Sequence, residues 1–220
     1  MPGDRADGSR GRTGRPPLTE RRKAETRLEI AREAVRLFAA RGVAATSAED
    51  VAEAAGISVR TLWRYFPAKE DCVRPLFTAG IEAVAGLLRG WRAGDEVADL
   101  LDEAARDTGA GRADVPALLA LIRLVPAEPA LRAVWLRAHD NAEPVFAAAL
   151  AESSGDGLRA RVRAAMLNAA LRAAVEHYAW HTAPAGRPED DEDGLLDAVR
   201  EAFRIAADGV SPHPGCPPAR

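Results

Sequence analysis

The stretch TSAEDVAEAAGISVRTLWRYF, from Thr46 to Phe66, is the part of the sequence that decides the fold. Ser47 precedes a run of residues that favours a helix, and Asp50 follows it by three positions. A hydroxyl before a helix, with an acidic residue three positions later, is an acidic variant of the capping box. The sequence therefore predicts a first short helix over about residues 48–55.

The residues after this helix have the spacing of a helix-turn-helix motif. Ala52, Gly56 and Leu62 provide a small residue at the helix contact, a glycine where the turn needs positive φ, and an apolar anchor in the second helix. Ser58 is placed to cap that second helix. Four apolar side chains are expected to face inward: Val51, Ile57, Leu62 and Phe66.

The second helix then has a polar and aromatic outer side. This outer side consists of Val59, Arg60, Thr61, Trp63, Arg64 and Tyr65. Arginine donates two hydrogen bonds to a guanine edge or pairs with phosphate, threonine reaches either, and valine packs on a thymine methyl. The same spacing occurs in ordinary helical hairpins, but such a hairpin has no use for Trp63, Arg64 and Tyr65 on its wet side. The pattern favours a surface that enters a DNA groove.

At these residues, GISVRTLWRYFPAKED and a preceding helix that ends LFAARG resemble the N-terminal domain of the tetracycline-repressor (TetR) family of transcriptional regulators. The resemblance covers about residues 22–73. It implies an all-α dimer, in which each subunit has a three-helix DNA-binding domain and a C-terminal helical domain for a small molecule and for dimerisation. The residues that would contact DNA are Thr46, Ser58, Val59, Arg60, Thr61, Trp63, Arg64, Tyr65 and Lys69.

Two of these contacts and one ligand class are implied by the resemblance alone. Family members often place a hydroxyl against phosphate at the position of Thr46, and a lysine at the position of Lys69 lies at a helix N-terminus, where a phosphate can be held. The alternatives are a local capping oxygen and an unpaired surface lysine. The pattern RTLWRYFPAKED also looks like an actinobacterial subgroup in which some members sense fatty acyl thioesters.

Length, cysteine content and charge bound the class of protein. The chain has 220 residues, enough to bury a core without a metal or disulfide. It has two distant cysteines, Cys72 and Cys216, and neither a signal core nor an apolar run of about 18 residues, so we expect a soluble cytoplasmic protein, nucleoid-associated when DNA-bound. Residues 1–75 hold 15 Lys and Arg against 11 Asp and Glu, and the remainder 15 against 22, which favours a polyanion partner at the N-terminal end.

Four parts of the chain are expected. Residues 1–18 form a disordered basic arm, residues 19–68 the helix-turn-helix domain, residues 69–210 the ligand-binding and dimerisation domain, and residues 211–220 a disordered tail. The RGR and GRP tripeptides of the arm resemble pieces of an AT-hook, which binds the minor groove. The alternative is a solvated tail that adds only phosphate attraction.

About nine helices are expected in all. Thr19 is expected to cap a first helix over residues 20–41, and a fourth helix is expected to have Pro67 in its first turn. We expect a kink or break before Pro144 and an acidic loop over residues 184–194. The body helices are predicted at about residues 95–108, 114–125, 129–152, 156–182 and 192–210.

The last two predicted helices carry long apolar faces with many alanines. The resemblance implies that they form a four-helix interface in a homodimer; the internal core of a monomer is the alternative. The residues of the two faces are Leu158, Val162, Ala165, Met166, Ala169, Ala173 and His177 on one helix, and Leu195, Leu196, Val199, Phe203, Ala206 and Val210 on the other.

The body has no convincing catalytic or metal motif. His177 and His181 have the spacing of two metal ligands on a helix, but no nearby third ligand completes a set. No phosphate-binding glycine loop or serine nucleophile elbow is present. We therefore predict no catalytic residue, no metal and no cofactor.

An effector cavity is predicted among the middle helices, where polar or aromatic groups interrupt apolar sequence. Such groups need internal partners or a ligand, because burying them unpaired is costly. Satisfied core or surface groups are the alternative for each one. The candidate ligand-binding residues are Trp135, His139, Asn168, Arg172 and His177.

The sequence thus predicts a homodimeric regulator, a repressor that a small hydrophobic effector releases from a palindromic DNA operator. Two alternatives come from other classes. One is an α-helical enzyme that retains the helix-turn-helix as a scaffold, and the other is a DNA-binding structural protein without an effector.

Overall fold

A computed structural model of the chain describes residues 18–90, 114–154, 157–182 and 188–208. All regular structure in these ranges is helical. The elements, in chain order, are α1 (Leu18–Arg41), α2 (Ala48–Ala54), α3 (Val59–Tyr65), a 3-10 turn (Glu70–Val73), α4 (Arg74–Gly90), α5 (Val115–Leu124), α6 (Pro129–Ser154), α7 (Gly157–His181) and α8 (Pro188–Asp208).

Helices α1 to α3 form an N-terminal head. The apolar stripe of α1, including Ile30, Leu37 and Phe38, is buried and forms the floor of this head. From α2 and α3, Val51 and Leu62 are fully buried, as the sequence predicts. The expected cap of α1 is wrong, because the helix begins at Leu18 and includes Thr19.

The start of α4 differs from the prediction. Phe66 is extended, with φ −135° and ψ 133°, because a following proline disfavours the α conformation. The chain then forms the 3-10 turn, and α4 begins only at Arg74. The proline in its first turn is therefore Pro75, and Pro67 lies outside the helix.

The body packs α7 against α5, α6 and α8, while α4 packs against α6. Of the expected kink or break near residues 141–143, the break is wrong: α6 continues as one helix with Pro144 inside it. Ala142 and Phe146 on either side of the proline are buried, and this packing offsets the one lost backbone hydrogen bond. The acidic loop is also shorter than expected, because α8 begins at Pro188, and proline is favoured at a first helical position.

One ion pair joins the head to the body, and a second joins the 3-10 turn to the body. Arg32 of α1 binds Asp114, which precedes α5, with an Nε to Oδ1 distance of 2.5 Å and a second contact of 3.1 Å from its NH2 group to Oδ2. Asp114 is buried and makes no side-chain cap bond to α5. Arg137 of α6 lies 3.5 Å from Asp71 of the 3-10 turn. The head is therefore attached to the body at a second place besides the continuous chain into α4.

Several predictions fall outside the described residues. These concern the basic arm, the helix at about residues 95–108, the C-terminal tail and Cys216. Within the described ranges, none of the helices has the length and apolar character needed to cross a membrane.

Candidate nucleic-acid interface

The helix-turn-helix is fixed by the caps that the sequence predicts. Ser47 Oγ accepts the N–H of Asp50 at 3.0 Å, and Asp50 Oδ2 accepts the N–H of Ser47 at 2.8 Å. These hydrogen bonds from Ser47 hold the pKa of Asp50 below its ordinary value. Gly56 has φ 65°, and Ser58 Oγ accepts the N–H of Thr61 at 3.1 Å. Local sequence alone thus sets the direction in which α3 leaves the turn.

The outer side of α3 is only partly as exposed as predicted. Arg60, Trp63 and Arg64 are exposed, with 46% of Trp63 accessible, and these three residues line an open depression. No carboxylate within the described ranges pairs with either arginine. This surface therefore offers two free guanidinium groups and an indole to a partner.

The other predicted DNA-contacting residues of α3 and its cap already have contacts within the chain. Val59 and Tyr65 are half-buried and pack on the core. The Thr61 hydroxyl lies 2.9 Å from Ser58 Oγ, so both hydroxyls already take part in the cap of α3. Their reach toward a partner is shorter than that of the three exposed residues.

Thr46 and Lys69 lie at the back of the motif in the free chain. Thr46 is 1% exposed and its hydroxyl donates to Gly42 O at 2.8 Å. Lys69 Nζ donates to Val43 O at 2.7 Å and to Thr46 O at 2.6 Å. The structure therefore does not place these two side chains on an open phosphate-binding surface, because buried polar groups are satisfied first by nearby backbone. They hold the loop between α1 and α2.

One residue of this surface is missed by the sequence reasoning. Arg27 of α1 places its guanidinium carbon 5.4 Å from the centroid of the Tyr65 ring, and that of Arg64 is 5.3 Å from the same centroid. No sequence signal marks Arg27, because it lies 38 residues before Tyr65 and only the tertiary fold brings the two side chains together.

In the body, four of the five predicted ligand-binding residues lie on facing parts of α6 and α7. His139 Nδ1 lies 2.7 Å from Asn168 Oδ1, and Asn168 Nδ2 donates to His139 O at 3.0 Å. Trp135 Nε1 donates to Glu176 Oε1 at 2.7 Å, and its ring meets His139 edge-on at 4.1 Å. We call Trp135, His139, Asn168 and Glu176 the body cluster.

The body cluster contains one unsatisfied atom. His139 Nε2 is buried and has no hydrogen-bond partner within the described residues. Burial lowers the pKa of His139, and nearby Arg172, which is half-buried, adds to this direction. Because Asn168 Nδ2 donates to His139 O, Asn168 Oδ1 faces the ring as an acceptor, so Nδ1 carries the proton and Nε2 is a buried acceptor.

His177 does not belong to the body cluster. It is exposed and stacks on His181 with a centroid distance of 4.5 Å. In the described part of the chain, no group of three or more His, Cys, Asp or Glu side chains is arranged to hold a metal ion.

The exposed side of α7 is apolar at several positions. It continues past His177 to Trp180, with 42% of that residue exposed. The large exposed hydrophobic side chains of α7 are Leu158, Val162, Met166 and Trp180. By contrast, Leu195, Val199 and Phe203 of α8 are buried within the same chain. Of the two predicted interface faces, that of α7 is the open one.

Cys72 is fully buried, and burial raises the pKa of its thiol to about 12. A thiolate is the reactive form of cysteine. The Cys72 thiol of the folded chain is therefore not in its reactive form near neutral pH.

The sequence is similar to those of known bacterial regulatory proteins. Residues 30–76 match the family model described as bacterial regulatory proteins, tetR family. The HTH-type transcriptional regulator TcmR of Streptomyces glaucescens is 30% identical over 208 residues, which cover 90% of this chain and 88% of that protein. MftR of Mycobacterium tuberculosis is 29% identical over 208 residues, 86% of this chain and 93% of that protein.

Among solved structures, that of Salmonella enterica GusR has the same fold, with a TM-score of 0.50 at 18% identity over 81% of this chain and 93% of that one. The family model matches the head, and the identity with TcmR extends through the body as well. The chain therefore belongs to the TetR family of transcriptional regulators, which bind DNA and are not enzymes.

Proposed function

We propose that this regulator is a homodimer that binds a near-palindromic operator and represses transcription until a small hydrophobic effector releases it. The observation that carries the DNA-binding part is the outer side of α3. Arg60, Trp63 and Arg64 are exposed there on a helix whose start is fixed by Ser58. Direct readout of base edges requires hydrogen-bond donors that are exposed and held in a fixed position. We call α3 the recognition helix.

Within this proposal, the residues of α3 divide between two tasks. Arg60 and Arg64, with Val59 and Thr61 beside them, meet base edges or backbone, and Trp63 and Tyr65 contact phosphates. A dimer would place its two recognition helices about 34–36 Å apart, in successive major grooves. Thr46 and Lys69 support the loop before α2 and act on DNA only through it.

The exposed apolar side of α7 supports dimerisation through the last two long helices. Leu158, Val162 and Met166 follow one another at offsets of four, so they form one stripe along the helix. Exposed apolar patches of this kind mark association sites. Ala169 and Ala173 continue the stripe and permit close helix approach.

The body cluster supports an effector site. His139 Nε2 is a buried acceptor without a partner in the described ranges, and a ligand that donates a hydrogen bond would satisfy it. The cluster also contacts α4, because the rings of Trp135 and Phe77 are 4.8 Å apart. A ligand that displaces Trp135 would therefore displace α4 and respace the two recognition helices. Release follows if the ligand binds better to the arrangement that does not fit DNA.

The DNA-binding proposal is tested by selecting bound duplexes from a random-sequence library and measuring affinity by mobility shift. We expect Arg60→Ala and Trp63→Ala to weaken binding at least tenfold, with unfolding temperatures unchanged because both side chains are exposed. Arg36→Ala, which removes an exposed arginine elsewhere on the head, is the control. If no duplex is enriched, or if all three variants bind alike, the proposal is wrong.

The effector proposal is tested with a series of saturated acyl-CoA thioesters of increasing chain length, the class that the sequence resemblance implies. One member should raise the unfolding temperature and weaken operator binding, and His139→Phe should abolish both effects while keeping the fold. A thioester that stabilises His139→Phe as much as the wild type would show that the body cluster is not its site. Failure of the whole series would exclude this ligand class.

A further inference from the structure

Arg27 lies at the edge of the surface proposed to bind DNA, although it belongs to α1. Its guanidinium carbon is 5.4 Å from the centroid of the Tyr65 ring. Tyr65 is the last residue of the recognition helix, and Arg64 lies at 5.3 Å from the same ring. One aromatic ring therefore holds two cations, one from each helix.

Arg27 contacts an aromatic ring, whereas most cationic side chains of α1 pair with a carboxylate. In the part of the chain that the structure describes, no carboxylate lies within 4.0 Å of it. Five other cations of α1 do pair with carboxylates: Arg21, Lys23, Arg32, Arg36 and Arg41. A carboxylate largely cancels the charge of an arginine, whereas an aromatic face orients the guanidinium group and leaves the charge in place.

The contact with the ring also leaves hydrogen-bond donors of Arg27 free. A guanidinium group has five N–H donors, and a cation–π contact uses its charge without requiring these donors to pair with an oxygen acceptor. Arg27 is half-buried, which limits the number of conformations that its side chain can adopt. The result is an oriented, charged donor group next to the recognition helix.

We propose that Arg27 binds a backbone phosphate of the operator, at the rim of the groove that the recognition helix enters. This inference rests on the proposed function of α3. The Arg27 side chain comes from α1 and reaches only the C-terminal end of the recognition helix, at Tyr65, so it would meet the sugar-phosphate edge and not the bases. Such a contact fixes docking and carries no base information. Tyr65 positions Arg27 and Arg64 together, and thereby ties the register of α1 to that of α3 on the duplex.

The test compares operator affinity as a function of salt for wild type, Arg27→Met and Arg36→Met. Both variants remove one arginine from α1, but Arg36 is paired with Glu33. The slope of log K against log salt changes by about 0.9 for each phosphate neutralised. We expect the salt slope of Arg27→Met to be shallower than that of the wild type by about 0.9 per half-site. The ratio of wild-type to variant affinity should therefore shrink about 3.5-fold per half-site between about 50 and about 200 mM salt. Arg36→Met should keep the wild-type slope.

A second measurement distinguishes a phosphate contact from a base contact. On a duplex selected with the wild-type protein and on a random-sequence duplex, Arg27→Met should weaken binding by the same factor, and Arg27→Lys should restore most of the slope. If the wild type binds and Arg60→Ala binds more weakly, an unchanged slope in Arg27→Met would overturn this inference alone. A wild-type protein that binds no duplex would overturn the proposed function and this inference with it.

Discussion

The ion pair between Arg32 and Asp114 should be one of the more costly contacts to break in this chain. The Asp114 side chain is 7% exposed and that of Arg32 is 41% exposed, so Arg32→Met would leave a nearly buried carboxylate without its partner. Breaking a fully buried pair costs about 3–5 kcal/mol. Because Arg32 is partly hydrated, we reduce the expected loss in the free energy of unfolding to about 2 kcal/mol, which corresponds to about 4–8 °C in Tm for a chain of this size.

The assay is equilibrium unfolding in urea followed by circular dichroism, with Arg36→Met as the control. Arg36 is 61% exposed and pairs with Glu33 on the same helix, so its removal should change stability by less than about 0.5 kcal/mol. The double variant Arg32→Met/Asp114→Leu should regain most of the loss, because it removes the buried charge as well. If Arg32→Met is as stable as the control, or if the double variant is no better than Arg32→Met, the reasoning is refuted.

Three further predictions concern the turn, the body cluster and α7. Gly56→Ala should destabilise the head by about 1–2 kcal/mol, because alanine is strained at φ 65°. Gly80→Ala in α4, with open space around it, should instead stabilise the chain by about 0.5–1 kcal/mol. Thermal unfolding should therefore show a lower Tm for the first variant and a higher Tm for the second. The lowered pKa of His139 means that the unfolded chain binds a proton more readily than the folded chain. The free energy of unfolding of the wild type should therefore fall as pH drops through 6.5, with a slope of at most about 1.4 kcal/mol per pH unit for this group. His139→Gln should remove that component of the pH profile. Val162→Glu should yield monomers in sedimentation, whereas Val145→Glu, at an exposed valine of α6, should not; equal behaviour would exclude the α7 interface.

The parts of the structure that sequence reasoning predicted depend on short-range signals. The capping box of Ser47, the positive φ of Gly56 and the buried anchor Leu62 are all set by residues within about two helical turns. Lys69 could not be placed this way, because its acceptors are carbonyls 23 and 26 residues earlier in the chain. Their position depends on how α1 packs against the 3-10 turn.

The position of His177 outside the body cluster, by contrast, could have been predicted from the sequence. Asn168 and His177 are nine residues apart, which is 2.5 turns at 3.6 residues per turn, so they face opposite sides of one helix. Arg172 and Glu176 follow Asn168 at successive offsets of four and stay closer to its side. Grouping residues by polarity, without their helical phase, placed His177 with the other candidate ligand-binding residues.

Helix α1 connects the DNA surface and the body through two arginines. Arg27 and Arg32 are five residues apart, about 7.5 Å along the helix axis. A short helical span of this kind is rigid, so the two arginines move together. The Arg32 to Asp114 pair should therefore couple DNA binding at Arg27 to the stability of α5. A bound duplex stabilises the species that it binds by RT ln(1 + [L]/Kd), about 2.7 kcal/mol at a hundredfold excess over Kd.

In the wild type, this stabilisation should reach both head and body, so calorimetry with duplex should show both unfolding at a higher temperature. In Arg32→Met/Asp114→Leu, which keeps the packing but lacks the pair, the shift of the body should shrink while that of the head persists. A body shift as large as in the wild type would mean that the other contacts between head and body carry all of the coupling, namely the packing of α1 on α4 and α5 and the pair between Arg137 and Asp71. In that case the Arg32 pair would contribute to stability alone and would have no part in the connection between effector and operator.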